Sequence, residues 1–116
     1  HTTGVASTIR RMISAFDKNE RAERAYALME TLRMIVTQSL VPKKGGGRLG
    51  VREWMIFPEE VREKLMDKDF DDWTNEIQRM IPFYGQTMSK SATIAFEKGI
   101  IEKRFYLLLT GGGGGH

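Results

Sequence analysis

The sequence predicts a mainly α-helical domain interrupted by one β-hairpin. Apolar residues recur at three- and four-residue spacing in several separate segments, which marks amphipathic helices. Start and stop residues flank those segments, with Thr, Asp and Pro ahead of them and Gly and Pro behind. One stretch, Pro42-Lys43-Lys44-Gly45-Gly46-Gly47-Arg48, is a dense turn signal between two runs of strand-forming residues.

Taken in order, Ile9, Met12, Ile13 and Phe16 place a short helix over about residues 5 to 16. Thr2 or Thr3 is its expected cap. Asp17-Lys18-Asn19-Glu20 has the form of a capping box, an acceptor followed three residues later by Glu. It is expected to open the longest helix, with a stripe of Ala25, Leu28, Met29, Leu32, Ile35 and Val36. β-branched residues thicken towards its end, and Pro42 stops it. The hairpin joins Ser39-Leu40-Val41 to the run from Leu49 to Ile56.

Phe57-Pro58-Glu59-Glu60 opens the next helix: Pro suits the first turn, and carboxylates suit the positive end of the helix dipole. Val61, Leu65 and Met66 face inward along it. Asp69 caps a helix whose buried face is Phe70, Trp73, Ile77, Met80 and Ile81, and which Pro82 and Gly85 end. Thr87 opens another, carrying Met88, Ala92, Ala95 and Phe96, and Gly99 closes it at the left-handed position. Ile100 to Leu109 is a last short helical segment. Residues 1–109 thus form one domain. Residues 110–116 read as a flexible Gly-rich tail, because glycine is entropically costly to order and has no side chain to pack.

The composition of the 116-residue chain, 41% hydrophobic and 28% charged, is that of a globular domain with a modest core. No apolar run approaches the roughly 20 residues that span a bilayer, so membrane insertion is not expected. The absence of cysteine excludes disulfides and Cys-ligated metal. A net charge of +3 permits an acidic partner, yet the basic residues alternate with Asp and Glu, which argues against nucleic acid.

Local chemistry does not point to an enzyme. Both histidines sit at the chain ends, outside any local motif. Glu59-Glu60 fits a first-turn charge pair better than an acid/base pair. Arg10 and Arg11 lie off the Ile9, Met12, Ile13 face, outside the helix, where arginines pair across a subunit interface or stay in water. The methionines fall mostly on apolar stripes, and core packing is the expected place of Trp54 and Trp73. The glycine tip lacks the G-x-x-x-x-G-K-[ST] spacing of a phosphate loop, and no helix starts directly after it. No zinc spacing and no nucleophile-base set stands out.

The order of the segments is more informative. His1-Thr2-Thr3 followed by Ala6-Ser7-Thr8-Ile9-Arg10-Arg11-Met12-Ile13 resembles the end of the His box and the next helix in PilT/DotB-like hexameric secretion and pilus-retraction ATPases. Leu32-Arg33-Met34-Ile35-Val36-Thr37-Gln38-Ser39-Leu40 is similar to that family's L-R-x-I-x-x-Q-x-L. Gly47-Arg48 and Val51-Arg52-Glu53 resemble the segment after it, and Phe57 to Leu65 resembles the T-P-A-I-R-N-L-I region. Gly85-Gln86-Thr87-Met88 keeps the Q-T-M of G-M-Q-T-M, and Lys98-Gly99-Ile100-Ile101 is similar to K-G-L-I. The run is collinear over residues 1 to about 109.

This resemblance implies the helical C-terminal subdomain of a RecA-like α/β P-loop ATPase, expected to pack on the nucleotide core and on neighbouring subunits. It implies in particular a type IVB secretion motor, or a conjugation relative of one. That motor would be a cytoplasmic homo-hexamer, peripheral to a bacterial inner membrane, partnered by membrane secretion proteins and using ATP and Mg²⁺. The chain begins beyond the positions of the phosphate loop and acidic boxes, so no cofactor site and no turnover are expected of it alone. His1 matches the His-box histidine and is its expected catalytic remnant. Arg10, Arg11 and Arg62 are the expected interface residues, and Val61, Arg62 and Leu65 the partner or lever helix. Of the A-I-R-N-L-I hexad linked with retraction, Val61, Arg62 and Leu65 hold their type, whereas Glu60, Glu63 and Lys64 do not. That departure favours a secretion motor over a pilus-retraction motor or a stand-alone interaction module.

Overall fold

A computed structural model describes residues 4–111. Helix α1, Val5–Ser14, buries Val5, Ala6, Ile9 and Ile13 and leaves Arg10, Arg11 and Met12 outside, as the spacing predicts. Its N-cap is Gly4, which has no side chain to offer; Thr2 and Thr3 lie outside the described residues. The Asp17–Glu20 segment corrects the expected capping box. It closes a single 3₁₀ turn in which the Glu20 N–H donates to the Asp17 carbonyl at 2.9 Å, and the Asp17 side chain caps nothing. Glu20 turns to Arg24 one helical turn on instead.

Helix α2, Arg21–Thr31, is shorter than its apolar stripe suggested. Leu32 leaves the helix with φ −70° and ψ 133°, and Met34–Pro42 becomes strand β1. In β1 the burial alternates: Ile35, Thr37, Ser39 and Val41 face the domain, and Met34, Val36, Gln38 and Leu40 face out. Ile35 and Val36 therefore belong to a period of two, not to the helix. The β-branched run fits a pleated strand, and a full ladder of partners outweighs two more turns of a weakly patterned helix. That ladder is strand β2, Arg48–Ile56, paired antiparallel from Met34↔Ile56 to Pro42↔Arg48. Gly45, Gly46 and Gly47 at the tip have φ of 86°, 114° and 79°, a run that side chains would strain. The Lys43 N–H closes the turn on the Gly47 carbonyl at 2.9 Å.

Pro58 stands at the N-cap position, one residue ahead of helix α3, Glu59–Met66, which buries Val61 and Leu65. Asp69 accepts from the Asp71 N–H at 3.0 Å and opens a 3₁₀ turn into helix α4, Trp73–Tyr84. Trp73 is buried, and its indole N–H donates to the Leu65 carbonyl at 2.7 Å. Pro82 does not end α4, contrary to expectation. It sits in the last turn, where its missing N–H removes one backbone bond and two further residues still complete the helix. Gly85–Gln86 then forms a short strand β3 that the sequence did not announce, pairing with Trp54 and Met55. A Cβ on Gly85 would lie 1.9 Å from the Trp54 carbonyl oxygen, so the close approach requires glycine.

Thr87 caps helix α5, Met88–Glu97, by accepting from the Lys90 N–H at 3.1 Å. Gly99, at φ 75°, ends it as expected, with Ile100 N–H bonded to the Ala95 carbonyl and Gly99 N–H to the Phe96 carbonyl. Helix α6, Lys103–Leu109, closes the described chain.

The sheet order is β1-β2-β3, so β2 is central and the outer edge of β1 pairs with no strand among the described residues. Two apolar clusters lie side by side along the inner face of this sheet. One packs α1, α2, α3 and α4 around Met55 and Phe57; the other packs α5 and the Ile101 segment against Val41 and Val51.

Candidate functional site

The chemistry of the chain converges on the middle of β2, where Glu53 faces inward between Val51 and Met55. It is 4% exposed, the only buried charged side chain among the described residues. Its Oε2 accepts from the Val5 N–H at 2.7 Å, and its Oε1 accepts from the Met88 N–H at 2.9 Å. These are the first amides of α1 and α5. One carboxylate thus satisfies orphan donors of two helices and meets the positive ends of both dipoles, which offsets the cost of its burial. A Cβ on Gly4 would come within 2.6 Å of Oε2, so the glycine at the start of α1 makes room for the acid.

Positive charge holds the opposite end of α1. A terminal nitrogen of the Arg21 guanidinium donates to the Ser14 carbonyl at 3.2 Å and to the Phe16 carbonyl at 3.1 Å. Next to Glu53, Ser91 Oγ donates to the Arg52 carbonyl at 2.5 Å and accepts from Gln86 Nε2 at 2.7 Å. The Gln86-Thr87-Met88 turn is therefore tied to β2 by Gln86 through Ser91 and by Met88 through Glu53.

A cleft of about 710 Å³ lies between α1, the hairpin, α4 and α6, bordered by Gly4, Arg10, Leu40, Glu53, Gln78 and Leu108. The structure places the expected site residues as follows. His1 lies outside the described residues. Arg10 and Arg11 are exposed on α1, Arg10 at the cleft. Arg62 is half-buried and engaged within its own chain, donating to the Phe57 carbonyl at 3.0 Å and the Glu30 carbonyl at 2.8 Å, so it staples α3 to the end of α2. Val61 and Leu65, 1% and 0% exposed, anchor α3 in the core and offer no outward contact. Trp54 is half-buried on the sheet. Glu53 went unnoticed in the sequence because its two partners lie 48 and 35 residues away.

The residues present do not fit a nucleotide and its magnesium ion. The glycine tip runs into β2 and not into a helix N-terminus, and among the described residues no group of His, Cys, Asp and Glu could hold a metal. Desolvation pushes Glu76 up, but hydrogen bonding from Arg79 and the charges of Arg79, Lys68 and Lys64 outweigh this and hold it below its ordinary value.

No family model matches the chain. It is 30% identical over 103 residues to the type IV pilus retraction ATPase PilT of Pseudomonas aeruginosa, covering 89% of this chain and 30% of PilT. Over nearly its whole length, then, the chain matches part of a PilT/DotB-like ATPase, as the order of its segments implied. The nearer likeness is to DotB. The X-ray structure of the Legionella pneumophila ATPase DotB superposes with a TM-score of 0.87 at 38% identity, over 97% of this chain and 30% of that one. Yersinia pseudotuberculosis DotB gives 0.86 and 32%, over 95% of this chain and 29% of that one. The chain spans about 30% of the length of these relatives.

Proposed function

We propose that the chain is the C-terminal part of a homo-hexameric ATPase that powers protein export by a type IVB secretion system. The observation that carries this reading is the DotB likeness, a TM-score of 0.87 at 38% identity, against 0.76 at 25% for the structure of the pilus retraction motor PilT. The sheet supports it independently. β1 is a nine-residue edge strand without a single charge, and Met34, Val36 and Leu40 on its outer face are 52%, 49% and 56% exposed. Folded proteins guard such edges with charge, proline or a covering element, and here the one proline, Pro42, stands only at the last position of the strand. This one calls for the remainder of a larger domain, here the nucleotide core of the RecA-like fold.

In this motor the rest of the subunit would supply the phosphate loop that holds ATP and Mg²⁺. The present part supplies α1 with Arg10 and Arg11 facing a neighbouring subunit, and α3 as a lever rooted in the core by Val61 and Leu65. His1, just ahead of α1, is the His-box histidine. The motor works in the cytoplasm, docked on inner-membrane secretion proteins. No helix of the described chain is long and apolar enough to cross a membrane.

The 116-residue chain alone is expected to show no ATP turnover, whereas a motor subunit that contains it hydrolyses ATP. Turnover by the chain alone, abolished by a substitution within it, would overturn the reading. Arg10→Ala in the whole motor is expected to lower turnover and leave nucleotide affinity nearly unchanged, measured by steady-state kinetics and equilibrium binding. Equal loss of affinity would count against an interface role.

A further inference from the structure

We propose that Glu53 is a positioning residue, a carboxylate bridge that fixes the start of α1 relative to the Gln86-Thr87-Met88 turn. Its two oxygens face opposite ways, Oε2 to the Val5 amide and Oε1 to the Met88 amide. Only an ionised carboxylate can do this among side chains of that size, because it accepts on both oxygens and donates nothing. Glutamine would keep one acceptor and turn an NH₂ group against the other amide. Aspartate would fall one methylene short of spanning both. The second tie, Gln86 to Ser91 to the Arg52 carbonyl, fixes the same turn to the same strand. The first turn of α1 is therefore held from β2, not by a local cap, since Gly4 has no capping side chain.

The catalytic consequence rests on the motor reading above. There the segment leading into α1 belongs to the ATPase site, so Glu53 would act on it through the placement of α1, without touching nucleotide. Loss of the bridge is then a loss of placement. It appears in turnover more than in substrate binding, because misplacing a reacting group by even about 1 Å costs up to about a hundredfold in rate. Gly4 belongs to the same device. Its backbone φ of −82° suits any residue, so the reason for glycine there is the room it leaves for Oε2.

The test uses Glu53→Gln and, independently, Gly4→Ala, which leaves the acid intact but displaces it from α1. Hydrogen exchange is followed at the Val5 and Met88 amides in the full chain. Glu53→Gln is expected to speed exchange at one or both of these amides, Gly4→Ala at Val5 alone, and both variants leave core amides such as Ile77 protected. In the ATP-hydrolysing motor both variants are expected to lower kcat about tenfold with KM nearly unchanged. The double variant is expected to be no worse than Glu53→Gln alone. Wild-type exchange at both amides in Glu53→Gln overturns the bridge. Altered exchange with unchanged kcat in an active motor overturns the positioning role. A wild-type motor without turnover sinks the motor reading and with it the catalytic role, while the exchange result still decides the bridge.

Discussion

Gly85 shows how much a single atom can decide. Its missing Cβ lets β3 reach β2, and Gly85→Ala is expected to cost about 3 kcal/mol or more, read by urea denaturation, because the obstacle is backbone and cannot swing aside. Gly99→Ala is expected to cost about 1–2 kcal/mol, since there the objection is the left-handed φ alone and the space is open. Glu76 carries a pH signature. Its folded pKa is held below the ordinary value of 4.5, so its ion pairs stabilise the fold above that value. The contribution falls away as pH drops through the folded pKa. Glu76→Gln should flatten that acid limb in denaturation curves taken at successive pH values. These residues differ in how readable they were. Thr87, Asp69 and Gly99 act on neighbours within a few positions, and each was legible. Glu53 acts on amides far along the chain, and no spacing rule reaches that distance.

At the scale of elements, the helix with both a side-chain cap and a glycine stop, α5, came out of the sequence nearly intact, whereas α4 kept its stripe from Trp73 to Ile81 but not its ends. The failure was the end of α2. Leu28, Met29 and Leu32 continue into Ile35 and Val36 at spacings that suit a helix, while the same two residues alternate equally well as a strand. A partner strand decided between the two, and a partner is not a local property. β3 was missed for the same reason, being two residues that form a strand only because β2 runs beside them. The outer edge of β1 yields a further expectation. The chain on its own should self-associate through this edge, and Val36→Lys should return it to a monomer in sedimentation velocity. Unchanged association in that variant would place the contact elsewhere.

The molecule measures 49 × 27 × 27 Å, and its long shape follows from two apolar clusters served by one hairpin. Val51 belongs to one cluster and Met55 to the other, only four residues apart on β2. Neither cluster has a sheet of its own. A ladder of nine paired residues is about 30 Å long, a stiff rod on the scale of this chain. Such a rod has no joint between the two cores. A displacement at the glycine tip is therefore expected to reach the far end as rotation of the whole hairpin, and under tension in an optical trap both halves should give way in one rip.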